Sequence, residues 1–113
     1  MHVRRGDEVV IGPFQAMLLE AIRDTGSISA AQRRLGASYA YTWKMVARLN
    51  GMFGSPLVEP VRGGSKGGGA NLTRAGQRVL AAFRRLEVLA QTHGNVELLE
   101  IRNVARHAKP DEV

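Results

Sequence analysis

Lys44 and Arg48 stand four residues apart in a stretch, residues 38–52, that holds no acidic side chain. On a helix that spacing sets both cations on one face. Ser38, Tyr41 and Thr42 add hydroxyl groups to the same face or its edge. Cations and hydroxyls so arranged suit phosphate oxygens, and Lys and Arg also donate to guanine O6 and N7. For any one of these residues a solvated helix face is the plain alternative.

A second set lies in Gly63-Gly64-Ser65-Lys66-Gly67-Gly68-Gly69, preceded by Arg62. A lysine among glycines invites a phosphate-loop reading, which the spacing rejects. Lys66 follows Ser65 and precedes Gly67, so G-x-x-x-x-G-K-[ST] is absent, and no helix opens at the last glycine. What remains is a hairpin tip whose bare backbone approaches a phosphate closely, with Arg62 and Lys66 supplying charge. A flexible linker is the competing reading of the same composition.

Other chemistry finds no support. There are no cysteines, which removes thiolate catalysis and cysteine-based zinc sites. His2, His93 and His107 have no companion ligand at helical spacing, and Met1, Met17, Met45 and Met52 form no metal-binding pattern. Glu87, Glu97 and Glu100 read as helix-surface charges, and no serine or threonine has a histidine–acid set. Neither an enzyme nor a cofactor is expected.

The elements that must position the cations follow from periodicity and punctuation. Residues 8–12 are β-prone and end at Gly12-Pro13, where a helix can begin. Phe14, Met17, Leu18, Ala21 and Ile22 give that helix an apolar face, and Gly26 ends it. Ser27 caps a short second helix with Ile28, Ala31 and Leu35 inward. After Gly36-Ala37-Ser38 a third helix is expected over about 39–52, with Tyr39, Trp43, Val46, Ala47 and Asn50 inward. Ser38, Tyr41, Lys44, Met45 and Arg48 then lie outward, with Thr42 at the edge. A strand over 57–62, the glycine tip and a return strand at 70–72 form a hairpin, Pro60 requiring an edge position. Thr73 caps a fourth helix to about 93, with Val79, Leu80, Phe83, Leu86, Leu89 and Ala90 in one wide stripe. A fifth helix is expected over 96–106, followed by a frayed end.

Strand, helix, helix, turn, helix, hairpin, helix is the order of a winged helix-turn-helix, mainly α with a small β-hairpin wing. The reading assigns residues 1–94 to that domain: recognition helix about 39–52, wing about 57–72, dimerisation helix about 73–93. Residues 95–113 are a C-terminal extension. Charge agrees with a polyanionic partner: residues 25–86 carry ten basic side chains against one acid, Glu59, while the rest carries six against nine. The N-terminus lacks the apolar core of a secretory signal and no run approaches a membrane span, so a cytoplasmic protein is expected.

Two blocks carry a family resemblance. The first is Thr25-Gly26-Ser27-Ile28-Ser29, then Gly36-Ala37-Ser38-Tyr39, Trp43 and Leu49-Asn50. The second is Leu57-Val58-Glu59, Gly63-Gly64, Lys66-Gly67-Gly68-Gly69-Ala70, Leu72-Thr73-Arg74 and Gly76-Gln77-Arg78. In this order, over about residues 14–90, the chain resembles the N-terminal DNA-binding domain of ModE-type, molybdate-responsive regulators. More distantly it resembles LysR-type regulators. The resemblance implies a homodimer on a near-palindromic duplex operator. Ser38 and Tyr39 would open the recognition helix, with Tyr41, Thr42, Lys44 and Arg48 along it. Arg62, Lys66, Gly67, Gly68 and Arg74 would serve the wing and backbone, and Ser27, Ser29 and Arg33 the second helix's phosphate contacts. The first and fourth helices would form the dimer through Phe14, Leu18, Val79, Phe83, Leu86 and Ala90. Only about 20 residues follow the fourth helix, so a stand-alone module is expected, with no oxyanion site of its own. A protein-interaction module using the apolar face of the fourth helix is the alternative.

Overall fold

The computed structural model describes residues 1–62 and 69–107. The chain divides into two compact units, residues 1–83 and 84–113. The division falls inside the fourth helix.

The first unit opens with a hairpin, β1 (Val3–Arg5) against β2 (Glu8–Ile11), antiparallel and turned at Gly6. Gly6 has φ +63°, a left-handed conformation natural to glycine. The sequence reading has β2 but not β1, whose Val3-Arg4-Arg5 shows no apolar alternation to betray a strand. Pro13 then starts α1 (Pro13–Thr25), which buries Ala16, Leu18, Leu19, Ala21 and Ile22 and forms the middle of the core. Gly26, at φ +70°, ends it.

The turn into α2 (Ile28–Leu35) is built from side chains. The Thr25 hydroxyl donates to Ala21 O at 2.6 Å, and Ser27 Oγ accepts from Ala30 N at 3.1 Å, capping α2. Gly36, at φ +68°, closes α2, and Gln32 Nε2 braces the next turn by donating to Ala37 O at 2.7 Å. Ser38 caps α3 (Tyr39–Met52), its Oγ accepting from Tyr41 N at 3.1 Å.

The wing is β3 (Val58–Val61) paired antiparallel with β4 (Gly69–Leu72), Val58 opposite Leu72 and Val61 opposite Gly69. Lys66, Gly67 and Gly68 lie outside the described residues. Thr73 caps α4 (Arg74–His93): its Oγ accepts from Gly76 N at 3.0 Å and donates to Pro56 O at 2.7 Å. Leu57, Val58, Ala70, Leu72, Leu80 and Phe83 close the core over α1. In the second unit, the last turns of α4 lead through Gly94 to α5 (Asn95–His107). Val96, Leu99, Ile101 and Val104 of α5 are all exposed. No helix among the described residues is long and apolar enough to cross a membrane.

Candidate nucleic-acid interface

Four residues decide which way α3 faces. Thr42, Met45, Val46 and Leu49 are buried, the first completely. The opposite side is therefore Tyr39, Ala40, Trp43, Lys44, Ala47 and Arg48, all exposed. This corrects the inward set expected from periodicity: Tyr39, Trp43 and Ala47 face out, and Met45 faces in. Both sets fit a 3.6-residue period, and the large aromatic rings have far more apolar surface to bury than Thr42. Burying Thr42 costs little, because its hydroxyl donates to Ser38 O at 2.8 Å. With no exposure and its donor engaged, Thr42 is a core residue and not a DNA contact.

The outward face has two adjacent rows at four-residue spacing: Tyr39, Trp43, Ala47 and Gly51 in one, and Ala40, Lys44 and Arg48 in the other. The Tyr39 and Trp43 rings meet at 6.0 Å between centroids, tilted by 56°. Tyr41 lies to the other side and packs on Phe14 of α1, at 5.4 Å and 55°. Arg48 lines a small crevice with Val9 and Val10 of β2, Gln15 and Met45. The first hairpin thus borders the cationic row.

Asn50, which sequence reasoning counts as an inward position and as part of the family blocks, joins this helix to the wing. Its Oδ1 accepts from Leu57 N at 2.9 Å and Val58 N at 3.0 Å, and its Nδ2 donates to Val58 O at 3.1 Å. One amide therefore satisfies three backbone groups where β3 begins. Nothing local signals it, because its partners lie seven and eight residues away in a strand. Two close approaches hold the wing's other end: Ala70 N donates to Gly26 O at 2.9 Å, and a Cβ on Gly69 would sit 2.5 Å from that oxygen.

Electrostatics separate two kinds of cation. Arg23 pairs with Asp24 at 2.9 Å, Arg34 approaches Asp24 at 3.6 Å, and Arg84 pairs with Glu87 at 2.7 Å. The Arg23 hydrogen bond, against an opposing desolvation and with help from the charges of Arg23 and Arg34, lowers the Asp24 carboxyl below its ordinary value. Among the described residues no ion pair engages Arg33, Lys44, Arg48, Arg62 or Arg74, and all five are exposed. Arg62 directly follows β3, and Arg74 opens α4. Ser27 and Ser29, at the start of α2, are half-buried, and Ser38 is exposed.

Of the residues expected at a dimer interface, Leu18 and Phe83 are buried in the core of the first unit, at 0% and 3% exposure. They pack within the chain and leave no surface for a second copy, a correction to their expected role. Phe14 and Val79 are half-buried against the same core, while Leu86 and Ala90 are exposed. No cluster of three or more His, Cys, Asp or Glu residues able to hold a metal occurs among the described residues.

Two helices joined by a tight turn, a hairpin after them and a long helix behind define a winged helix-turn-helix. The pattern of the bacterial regulatory helix-turn-helix proteins of the lysR family matches residues 15–77, and the chain belongs to that family. The molybdenum-pterin-binding protein MopB of Rhodobacter capsulatus is 39% identical over 103 residues, 91% of this chain and 36% of that protein. The DNA-binding transcriptional dual regulator ModE of Escherichia coli K12 is 38% identical over 79 residues, 70% of this chain and 30% of that protein. The chain thus spans about a third of the length of these curated relatives. Among solved structures, the CbnR DBD–DNA complex superposes with a TM-score of 0.60 at 25% identity, covering 80% of this chain and 99% of that one. Sequence and fold agree on a helix-turn-helix domain homologous to ModE- and LysR-type regulators.

Proposed function

We propose that this chain is the duplex-reading domain of a ModE-like transcriptional regulator, working as a homodimer on a near-palindromic operator. The observation that carries the reading is the exposed, acid-free face of α3. It presents Lys44 and Arg48 without ion-pair partners, on a helix tied by Asn50 to the wing strand that leads to Arg62. Unpaired cations keep their full charge for phosphate oxygens and for guanine edges. In this reading α3 enters the major groove, while Arg62, Lys66, Gly67, Gly68 and Arg74 follow the backbone. Ser27, Ser29 and Arg33 meet the phosphate strand beside α2. Leu86 and Ala90 serve the partner copy. The molybdenum-linked names of the relatives support genes of molybdenum handling as targets.

Selection of bound fragments from random duplex DNA, followed by mobility shifts across a salt series, tests this reading. It requires an enriched two-fold-related motif, and affinity that drops steeply with salt, by about 0.9 in log–log slope for each phosphate neutralised. Arg62→Ala and Lys66→Ala are expected to weaken all sequences alike, whereas Arg48→Ala changes preference at particular base pairs. A flat salt response with no enriched motif would refute it. No observation favours the alternative of a protein-interaction module.

A further inference from the structure

We propose that Tyr39 and Trp43 form an apolar reading edge that selects thymine through its C5-methyl group. The inference rests on the duplex-binding reading above and assigns part of its sequence specificity.

Trp43 is 43% exposed and Tyr39 59% exposed, though each carries a large apolar ring. Both belong to the first half of α3, the end of a recognition helix that meets base edges. Their rings are tilted by 56°, so they do not close on one another as a stack. The neighbouring row begins with Ala40, and Ala47 follows Trp43 one turn on. These short side chains let the helix settle deeply enough for the rings to reach a groove floor. In the major groove thymine alone among the four bases offers an apolar group, its methyl, and aromatic and small apolar side chains are suited to it. Lys44 and Arg48 occupy the adjoining row and suit guanine O6 and N7. The face thus divides its chemistry: methyl contacts from the aromatic row, guanine and phosphate contacts from the cationic row.

The experiment uses the intact chain and the duplex it selects from a random pool. Each thymine of the selected site is replaced in turn by uracil, which removes the methyl and leaves every hydrogen-bonding group in place. Binding is expected to weaken about fourfold, the ~0.8 kcal/mol of one methyl group, at one or two thymines of each half-site and nowhere else. In Trp43→Ala or Tyr39→Ala that difference between thymine and uracil duplexes should vanish, whereas Arg48→Ala should keep it. Trp43→Leu, which retains an apolar contact, guards against loss of fold in the alanine variant, and circular dichroism verifies each. Steep, salt-dependent binding that is indifferent to uracil at every position, or a penalty that survives in both aromatic variants, would overturn this proposal alone. Failure to bind any duplex would overturn the underlying reading together with it.

Discussion

Asn50 and Gly76 are the residues on which the wing's placement depends. Asn50 satisfies the N–H groups of Leu57 and Val58, which are 0% and 4% exposed. Asn50→Ala leaves those donors buried without a partner, so unfolding stability should fall by about 2–3 kcal/mol. Urea denaturation measures this, and Asn50→Asp, which keeps the accepting oxygen, should recover part of it. Gly76 lies against the Leu57 carbonyl so closely that a Cβ there would collide with the oxygen. Gly76→Ala must displace either α4 or the strand, and a loss of about 1–3 kcal/mol is expected in the same assay. Neither residue meets DNA in the proposed reading. Their variants should therefore alter affinity through stability and wing position, without redirecting base preference.

Among the elements, α2 is the one whose formation relies most on its ends. It has only eight residues, too few to persist by propensity alone. Ser27 Oγ accepts from Ala30 N, and Thr25 ties the preceding turn. Ser27→Ala should cost about 1 kcal/mol of stability, read as a lowered thermal midpoint. In the last turn of α1, Asp24 is placed to accept from Arg23 and to face Arg34 of α2. Its carboxyl therefore titrates below the ordinary 3.8. The sign follows: any stabilisation from this exposed pair is complete above the ordinary value and fades as pH falls through the lowered one. An NMR titration should find the Asp24 pKa below 3.8 in the native chain and closer to it in Arg23→Ala.

At the scale of the whole molecule, net charge matters less than which cations are neutralised at home. The chain carries +6, yet Arg23, Arg34 and Arg84 are engaged by carboxylates while Lys44, Arg48 and Arg62 are not. Lys44→Ala and Arg62→Ala should each reduce the salt slope of duplex binding by about 1, whereas Arg23→Ala should leave it unchanged. Fluorescence anisotropy across a salt series distinguishes the two groups. Equal effects from Arg23 and Lys44 would mean that bulk charge, not a defined face, holds the duplex.

What the sequence determined by itself was the succession of elements from β2 onward and the ends of the helices. Pro13, Ser27, Ser38 and Thr73 start helices, and Gly26 and Gly36 stop them, because caps and left-handed turns act over three or four residues. The basic centre and the two wing strands could be read for the same reason: composition and short-range chemistry are written locally. The tertiary structure alone decided which side of α3 is outward, that Leu18 and Phe83 belong to the core, and that Asn50 clamps β3. These are choices between faces of equal period and between partners distant in the chain. They are settled by the space left among packed helices and by which polar groups find a hydrogen bond there, and no local pattern encodes either.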